Sequence, residues 1–427
     1  MNFYKTSFLS GLYSVVNLIT GLVITKVSAS LIGPIGTAYI GKFANITGLI
    51  LIFSTASIAT GIVKYVAQYK NNETELKKII NTAFGIILIG SVLGMIVVFT
   101  SYKFLNIAAF NNQNFENVFL LYGIFLLFIS LQIIITGVLN GIGEIRMLSY
   151  VNISAALLNL VITTYSIYNF HIAGALFSNS IFGILTTVTG LFAFKKLNML
   201  NTQYFNPKID LPLAFQLIKY GVFAAITSFS WMWTMIFIRE NIEHQLTTKD
   251  AGLWQAMFSL SDRYLTVITN IMIVYFIPKL SELSETQDLV TEIRKAFKRI
   301  VPIMIILSGS IWLCKDIIIS LLLAESFRPM RELFSFQMIG DVFRITASIL
   351  SYLIASKAMF RSGLKADLTF HFSLLLGSYF LVNQFGLVGA SYAYAIATFL
   401  YLLINLFIFK DLMVLVKKSV LPKPWLK

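Results

Sequence analysis

The chain has 427 residues, of which 57% are hydrophobic and only 12% charged, and it carries a formal net charge of +14. This composition excludes an ordinary soluble domain, because apolar runs of membrane-spanning length recur from end to end, as in a polytopic membrane protein. The basic excess then reads as loop charge that sets topology rather than as a nucleic-acid footprint, and the lone Cys314 excludes a disulfide framework and a cysteine metal site.

The first apolar run, Phe8 to Thr25, is longer than a signal-peptide core. Lys26 follows it where cleavage would need a neutral flank, so the run is read as a retained span. Hydropathy predicts twelve spans, near 8–30, 36–62, 79–101, 117–141, 149–169, 172–194, 213–238, 253–278, 299–323, 333–355, 367–383 and 387–409. Gly33-Pro34 predicts a tight turn after the first, and Pro278 the end of the eighth. Charged loops, Lys64–Phe84 and Lys279–Phe297, are expected after spans two and eight. The longest polar break, Lys195–Leu211 with Asn206-Pro207, divides the chain. The expected organisation is an N-terminal six-helix bundle (1–198), a cytoplasmic linker (199–212), a second six-helix bundle (213–409) and a basic cytoplasmic tail (410–427). The tail has the composition to lie on an anionic membrane surface.

Orientation follows from the basic residues. With the N-terminus inside, 23 of the 33 Lys and Arg fall in cytoplasmic segments. Six (Lys103, Arg239, Lys249, Lys315, Arg328, Arg331) fall outside, and Lys26, Lys42, Arg263 and Arg344 lie within spans. Basic residues concentrate on the cytoplasmic side, so both termini are expected there.

The two halves echo each other. Gly36 and Gly252 open spans two and eight, an offset of 216. The sixth span opens with Asn169, Gly174 and Ala175 and the twelfth with Asn383, Gly389 and Ala390, so Gly174 to Gly389 is an offset of 215. A near-constant offset argues for a duplicated six-helix unit in parallel orientation. On that symmetry Lys42 lies near the partner position of Asp262 and Arg263.

The charges inside the spans carry the functional argument. A charge at mid-membrane costs roughly 2.5–3.5 kcal/mol, and a chain keeps it where it faces other helices or a water-filled cavity. Asp262 and Arg263 fall about ten residues into the eighth span, and Asp341 and Arg344 share a helix face three residues apart in the tenth. Four bases against two acids leave the interior cationic, which suits a phosphate or diphosphate guest. Structural readings stand beside this one: Lys26 can snorkel to the interface, and Asp341–Arg344 can be an ion pair. Asp262 and Asp341 are also the candidates for carrying a coupling ion. Trp231, Trp233 and Trp254 could stack on sugars, though interfacial anchoring is the commoner role. Catalysis finds no support. No Gly-rich phosphate loop is present, His171, His244 and His371 are scattered, and no outer loop is large enough to hold a catalytic centre. The chain is therefore read as a transporter with no cofactor and no metal.

Several stretches carry a resemblance: Gly33-Pro34-Ile35-Gly36, Lys64-Tyr65-Val66-Ala67-Gln68-Tyr69, Trp254-Gln255, Ser261-Asp262-Arg263-Tyr264, and Met330-Arg331-Glu332-Leu333-Phe334 with Gln337 and Gly340-Asp341-Val342. In order and over essentially the whole chain, the sequence resembles the Wzx-type flippases of the multidrug/oligosaccharidyl-lipid/polysaccharide (MOP) superfamily. Within them it is most similar to those of enterobacterial common antigen, the lipid III flippases. The resemblance implies an all-α, MATE-like fold of twelve helices in two six-helix bundles around a central cavity, working by alternating access in the bacterial inner membrane. It implies an undecaprenyl-diphosphate-linked oligosaccharide as substrate, either lipid III or an O-antigen unit. Membrane lipids, a polysaccharide polymerase and chain-length proteins are the implied neighbours. Lys26, Arg239, Asp262, Tyr264, Asp341 and the base at Arg344 match the family pattern, while Lys42 and Arg263 stand outside it. Two other readings predict different things. A drug or cation antiporter of the same superfamily calls for an acid-rich cavity, and a non-transporting scaffold is indifferent to loss of the buried charges.

Overall fold

The computed structural model describes residues 3–110, 113–201, 203–283, 285–357, 359–412 and 414, so the predicted tail from 415 onward lies outside the described residues. Its helices are α1 (Phe3–Thr55), α2 (Ala59–Tyr69), α3 (Glu73–Phe110), α4 (Glu116–Ile142), α5 (Ile145–Lys196) and α6 (Leu211–Gln245). They continue with α7 (Thr248–Glu282), α8 (Thr286–Leu313), α9 (Lys315–Leu322), a 3-10 segment (Glu325–Leu333), α10 (Phe334–Ser356), α11 (Phe360–Phe385) and α12 (Val388–Ile408).

Eight of these are individually long and apolar enough to cross a membrane, and α6, bent by 43° between Val222 and Ala224, makes a ninth. Two of the eight hold two passages each, because a residue of non-helical backbone breaks them. In α1 this is Gly33 (φ 64°, ψ −167°), followed by Pro34, and in α5 it is His171 (φ 48°, ψ −123°). With α11, 26 residues long and polar in its first half, the described residues make the twelve passages that hydropathy predicts. The fold is all-α among the described residues.

The chain forms two compact units, Met1–Trp233 and Thr234–Lys427. The division falls inside α6, not in the polar break 199–212. In the first unit the apolar stripes of α2, α3, α4 and the end of α5 close on Ile62, Ile79, Ile80, Ile87, Ile134, Val138 and Phe194, all essentially inaccessible to solvent. In the second, α7, α8, α10 and the end of α12 close on Leu265, Leu280, Ile293, Met304, Ile345, Ile349 and Leu350. Burial of this kind stabilises by roughly 1.5–3 kcal/mol per large side chain between water and an apolar interior.

The duplication is present in the backbone. His171 and Gly386, which are 215 residues apart, are the two positive-φ joints before the sixth and twelfth passages (Gly386 φ 62°, ψ −146°). Three residues further on, the chain doubles back so closely that a Cβ on Gly174 would lie 2.0 Å from the Ser166 carbonyl oxygen. A Cβ on Gly389 would lie 2.0 Å from that of Leu381, again 215 residues on. Both units thus build the same hairpin by the same contact. The helix starts match as well, since α3 begins four residues after α2 ends and α8 four after α7 ends, so the charged loops expected there are mostly helix. On the 215-residue register the equivalent of Lys42 is Met257, and that of Asp262 is Thr47. Lys42 is therefore more than a turn away from the partner position of Asp262.

Only one copy has glycine at the joint. An L-residue at the His171 angles costs about 1–3 kcal/mol, whereas a glycine there would add about 0.4–1 kcal/mol of unfolded-state entropy. His171→Gly is therefore expected to raise stability by about 1 kcal/mol, read as a higher melting temperature in detergent. A lower one would show that the imidazole makes up for the strain.

Two expectations are corrected by packing. Pro278 does not end its helix: α7 runs on to Glu282, held by the buried Phe276 and Leu280. Nor is the polar break a loose tether, since its residues are strapped along the start of α3. Lys77 Nζ donates to Gln203 Oε1 at 2.7 Å, Asn81 Nδ2 donates to the Gln203 carbonyl at 2.9 Å, and the Asn206 amide donates to Asn81 Oδ1 at 3.0 Å. Lys78 pairs with Asp210 at 2.9 Å, and Tyr204 is buried in the first unit's core. The Lys78 ammonium, and after it the Leu213 amide, hold the Asp210 carboxyl below its ordinary 3.8. A depressed carboxyl contributes fully above its ordinary value and loses that contribution as pH falls through the lower folded one. Asp210→Asn, which mimics that loss at neutral pH, is expected to speed amide exchange over 197–210 while leaving the global melting temperature unmoved.

Candidate functional site

The charged centre of the second unit is built on α7, α10 and α12. On α10 the positions Gln337, Asp341 and Arg344 recur at helical spacing, and α7 offers Trp254, Phe258, Ser261 and Leu265 in the same way. Asp341 is fully buried. Its carboxylate accepts from three hydroxyls: Ser261 and Tyr264 at one oxygen, and Tyr394 at the other at 2.7 Å. Gln337 Nε2 in turn donates to Ser261 Oγ at 3.2 Å. Three donors from two other helices satisfy a charge that would otherwise be costly to bury.

Gly340 makes this arrangement possible. A Cβ there would lie 2.5 Å from the Tyr394 ring, so the missing side chain is the slot through which Tyr394 reaches the adjacent Asp341. Phe258 packs edge-on against that ring at 6.4 Å, and Trp254 stacks on Phe258 at 5.8 Å.

Arg344 does not simply pair within its own helix. Its Nη1 lies 3.5 Å from Asp262 Oδ1 on α7, with side chains 27% and 46% exposed. Asp262 is the open side of the pair, since Arg344 Nη1 itself is buried. Arg263, the next residue, points about 100° away around the helix. Its Nε is buried without a hydrogen-bond partner among the described residues.

Arg239, assigned to an outer loop by hydropathy, lies inside α6 and is 1% exposed. Its Nη2 donates to Gln255 Oε1, whose amide donates to Ser259 at 3.0 Å, and its guanidinium sits 5.8 Å from the Trp254 ring. Nε and Nη1 find no hydrogen-bond partner among the described residues. A buried cation with donors to spare calls for an explanation beyond packing. Trp254 is accordingly buried beside a cation, and not an interfacial anchor, whereas Trp233 in the first unit is exposed and stacked on Phe229.

In the first unit, Lys26 and Lys42 flank the Gly33 joint at roughly 10 and 14 Å along their helices. Lys42 is 3% exposed and Lys26 half-buried. The structure thus brings Asp262, Tyr264, Asp341 and Arg344 into one cluster, sets Arg239 in a second one beside Trp254, and puts Lys26 and Lys42 in the other unit.

Two features escaped the sequence. Asp367 lies in the first two turns of α11, accepting from Tyr401 at 3.5 Å; Tyr401 also contacts Ser351 at 2.8 Å. With Arg361 and Lys365 just before it, it reads in sequence as a loop charge. The second passage is broken after Thr55, where Ala56 and Ser57 both take positive φ (46° and 50°). Neither glycine nor proline marks that break.

Among the described residues, no three His, Cys, Asp or Glu side chains gather as a metal site. The geometry offers instead buried and half-buried cations, one carboxylate held by hydroxyls, and aromatic faces in a membrane-spanning frame. Cations of this kind are the donors that a phosphate or carboxylate takes. The fold is like that of a solved inward-facing multidrug MATE transporter of the MOP superfamily, which matches with a TM-score of 0.77 at 15% identity, covering 95% of this chain and 96% of its own. The lipid II flippase MurJ, in an inward closed conformation, matches at 0.69 and 15% identity, covering 97% of this chain and 90% of its own. In sequence the chain is 28% identical over 394 residues to the lipid III flippase of Escherichia coli (strain K12), which spans 92% of this chain and 95% of the relative. No family model matches. The resemblance read from the residues is thereby borne out.

Proposed function

We propose that this multi-pass membrane protein is a flippase. It carries an undecaprenyl-diphosphate-linked oligosaccharide, lipid III or an O-antigen unit, from the cytoplasmic to the periplasmic leaflet by alternating access through a cationic cavity. The observation that carries the reading is the end-to-end similarity to a lipid III flippase. The buried bases supply the chemistry: in this reading Lys26, Lys42, Arg263 and Arg344 neutralise the diphosphate and any sugar acids, with Arg239 and Tyr264 completing the polar lining. In this reading Arg344 exchanges the half-exposed Asp262 carboxylate, 3.5 Å away, for a phosphate. Asp341 and Asp262 are the candidate coupling acids. A proton or cation arriving at Asp341 would compete with the three hydroxyls that tie α7 and α12 to α10, so ion binding there is linked to helix packing. The setting is the bacterial inner membrane with both termini cytoplasmic, next to the polymerase and chain-length proteins that would use the product.

The test is leaflet accumulation in a strain lacking the protein. Undecaprenyl-diphosphate oligosaccharide is expected to build up on the cytoplasmic side, and mass spectrometry of that lipid then identifies the glycan. Normal surface glycan with raised sensitivity to cationic drugs would instead establish the antiporter.

A further inference from the structure

A second site lies in the second unit, apart from the buried charges. Helix α8 approaches the membrane as an amphipathic stretch, with Leu289, Val290, Ile293 and Ala296 buried and Lys295, Lys298 and Arg299 exposed, before it enters the predicted ninth span. Between this stretch and α7 is a cavity of about 360 Å³. Its wall is graded. Along α8 it passes from Glu292 and Lys295, with Tyr275 bonded to Glu292, through Arg299 to the apolar Ile303 and Met304, and α7 adds Ile268. From Glu292 to Met304 the α8 wall runs roughly 18 Å at 1.5 Å per residue. Glu292 is 9% exposed and accepts from the Tyr275 hydroxyl at 2.9 Å, and Arg299 is near enough to act electrostatically on that hydroxyl.

A charged head end and an apolar floor on two membrane helices fit a lipid, and the charges say which kind. Two cations call for a phosphate, and the buried carboxylate beside them repels a second anion and takes an ammonium. We infer that this cavity binds a glycerophospholipid with a primary ammonium head, phosphatidylethanolamine. Lys295 and Arg299 hold the phosphate, Glu292 holds the ammonium, and the acyl chain lies along Ile268, Ile303 and Met304. The inference is independent of the transported substrate. It predicts a resident lipid at the membrane boundary of α7 and α8, selected by head group.

Purified full-length protein, delipidated in detergent and titrated with phosphatidylethanolamine or phosphatidylglycerol, tests this by native mass spectrometry. Wild type is expected to retain phosphatidylethanolamine about tenfold more tightly, as one additional charge-assisted hydrogen bond would produce. The K295Q/R299Q variant is expected to weaken that binding by at least about tenfold. Glu292→Gln, which keeps an acceptor for Tyr275, is expected to bind both lipids alike. Equal binding of the two lipids by wild type, an unchanged titration of K295Q/R299Q, or retained head-group preference in Glu292→Gln would each overturn the assignment.

Discussion

Alanine at Gly389 is expected to destabilise the protein by about 3 kcal/mol or more, enough to strip it from the membrane fraction. The methyl would meet the Leu381 carbonyl oxygen at 2.0 Å and the Val382 amide nitrogen at 2.7 Å, and backbone atoms in a packed hairpin cannot step aside. Gly174→Ala should behave alike, because Ser166 and Ile167 stand in the same places. Gly386→Ala is the control. Its φ of +62° strains any L-residue, but nothing lies within 4 Å of a Cβ there, so the cost is the roughly 1–3 kcal/mol of backbone strain alone. Thermal melting in detergent should rank Gly389→Ala and Gly174→Ala well below Gly386→Ala. Equal losses would mean that the joint angle, and not the close approach, holds the hairpins.

The second large effect is on transport. Arg344 stands beside Asp262 and Arg263 has a buried donor to spare, so Arg263→Ala with Arg344→Ala removes two cations from the second unit. If both meet the diphosphate, each charge-assisted contact contributes roughly 1.5–3 kcal/mol. Glycan export should then fall at least about a hundredfold at normal expression. Export at the wild-type rate would remove both residues from the substrate path and favour a scaffold.

What the sequence made legible follows from what local chemistry can encode. Gly33-Pro34 turned where that dipeptide must, and the 215-residue echo at Gly174 and Gly389 was visible because a close backbone approach admits only glycine. Partners across helices were not legible. Asp341 and Arg344 share a face, yet Asp341 goes to hydroxyls from α7 and α12 while Arg344 goes to Asp262, and spacing within one helix carries no record of that. Arg239 looked like loop because Glu240, Asn241, Glu243 and His244 follow it, although α6 continues to Gln245. The 199–212 segment was correctly polar, but composition cannot distinguish a free tether from one strapped down by Lys77, Lys78, Asn81 and Thr82.

The abrupt joints have an immunological and proteolytic consequence. At four joints between passages the chain turns with a residue or two, at Gly33 and His171 in the first unit and at Leu246-Thr247 and Gly386-Leu387 in the second. An antibody needs a protruding epitope, and a protease needs several residues of extended chain in its cleft. These four corners present neither, so both should act elsewhere on the chain.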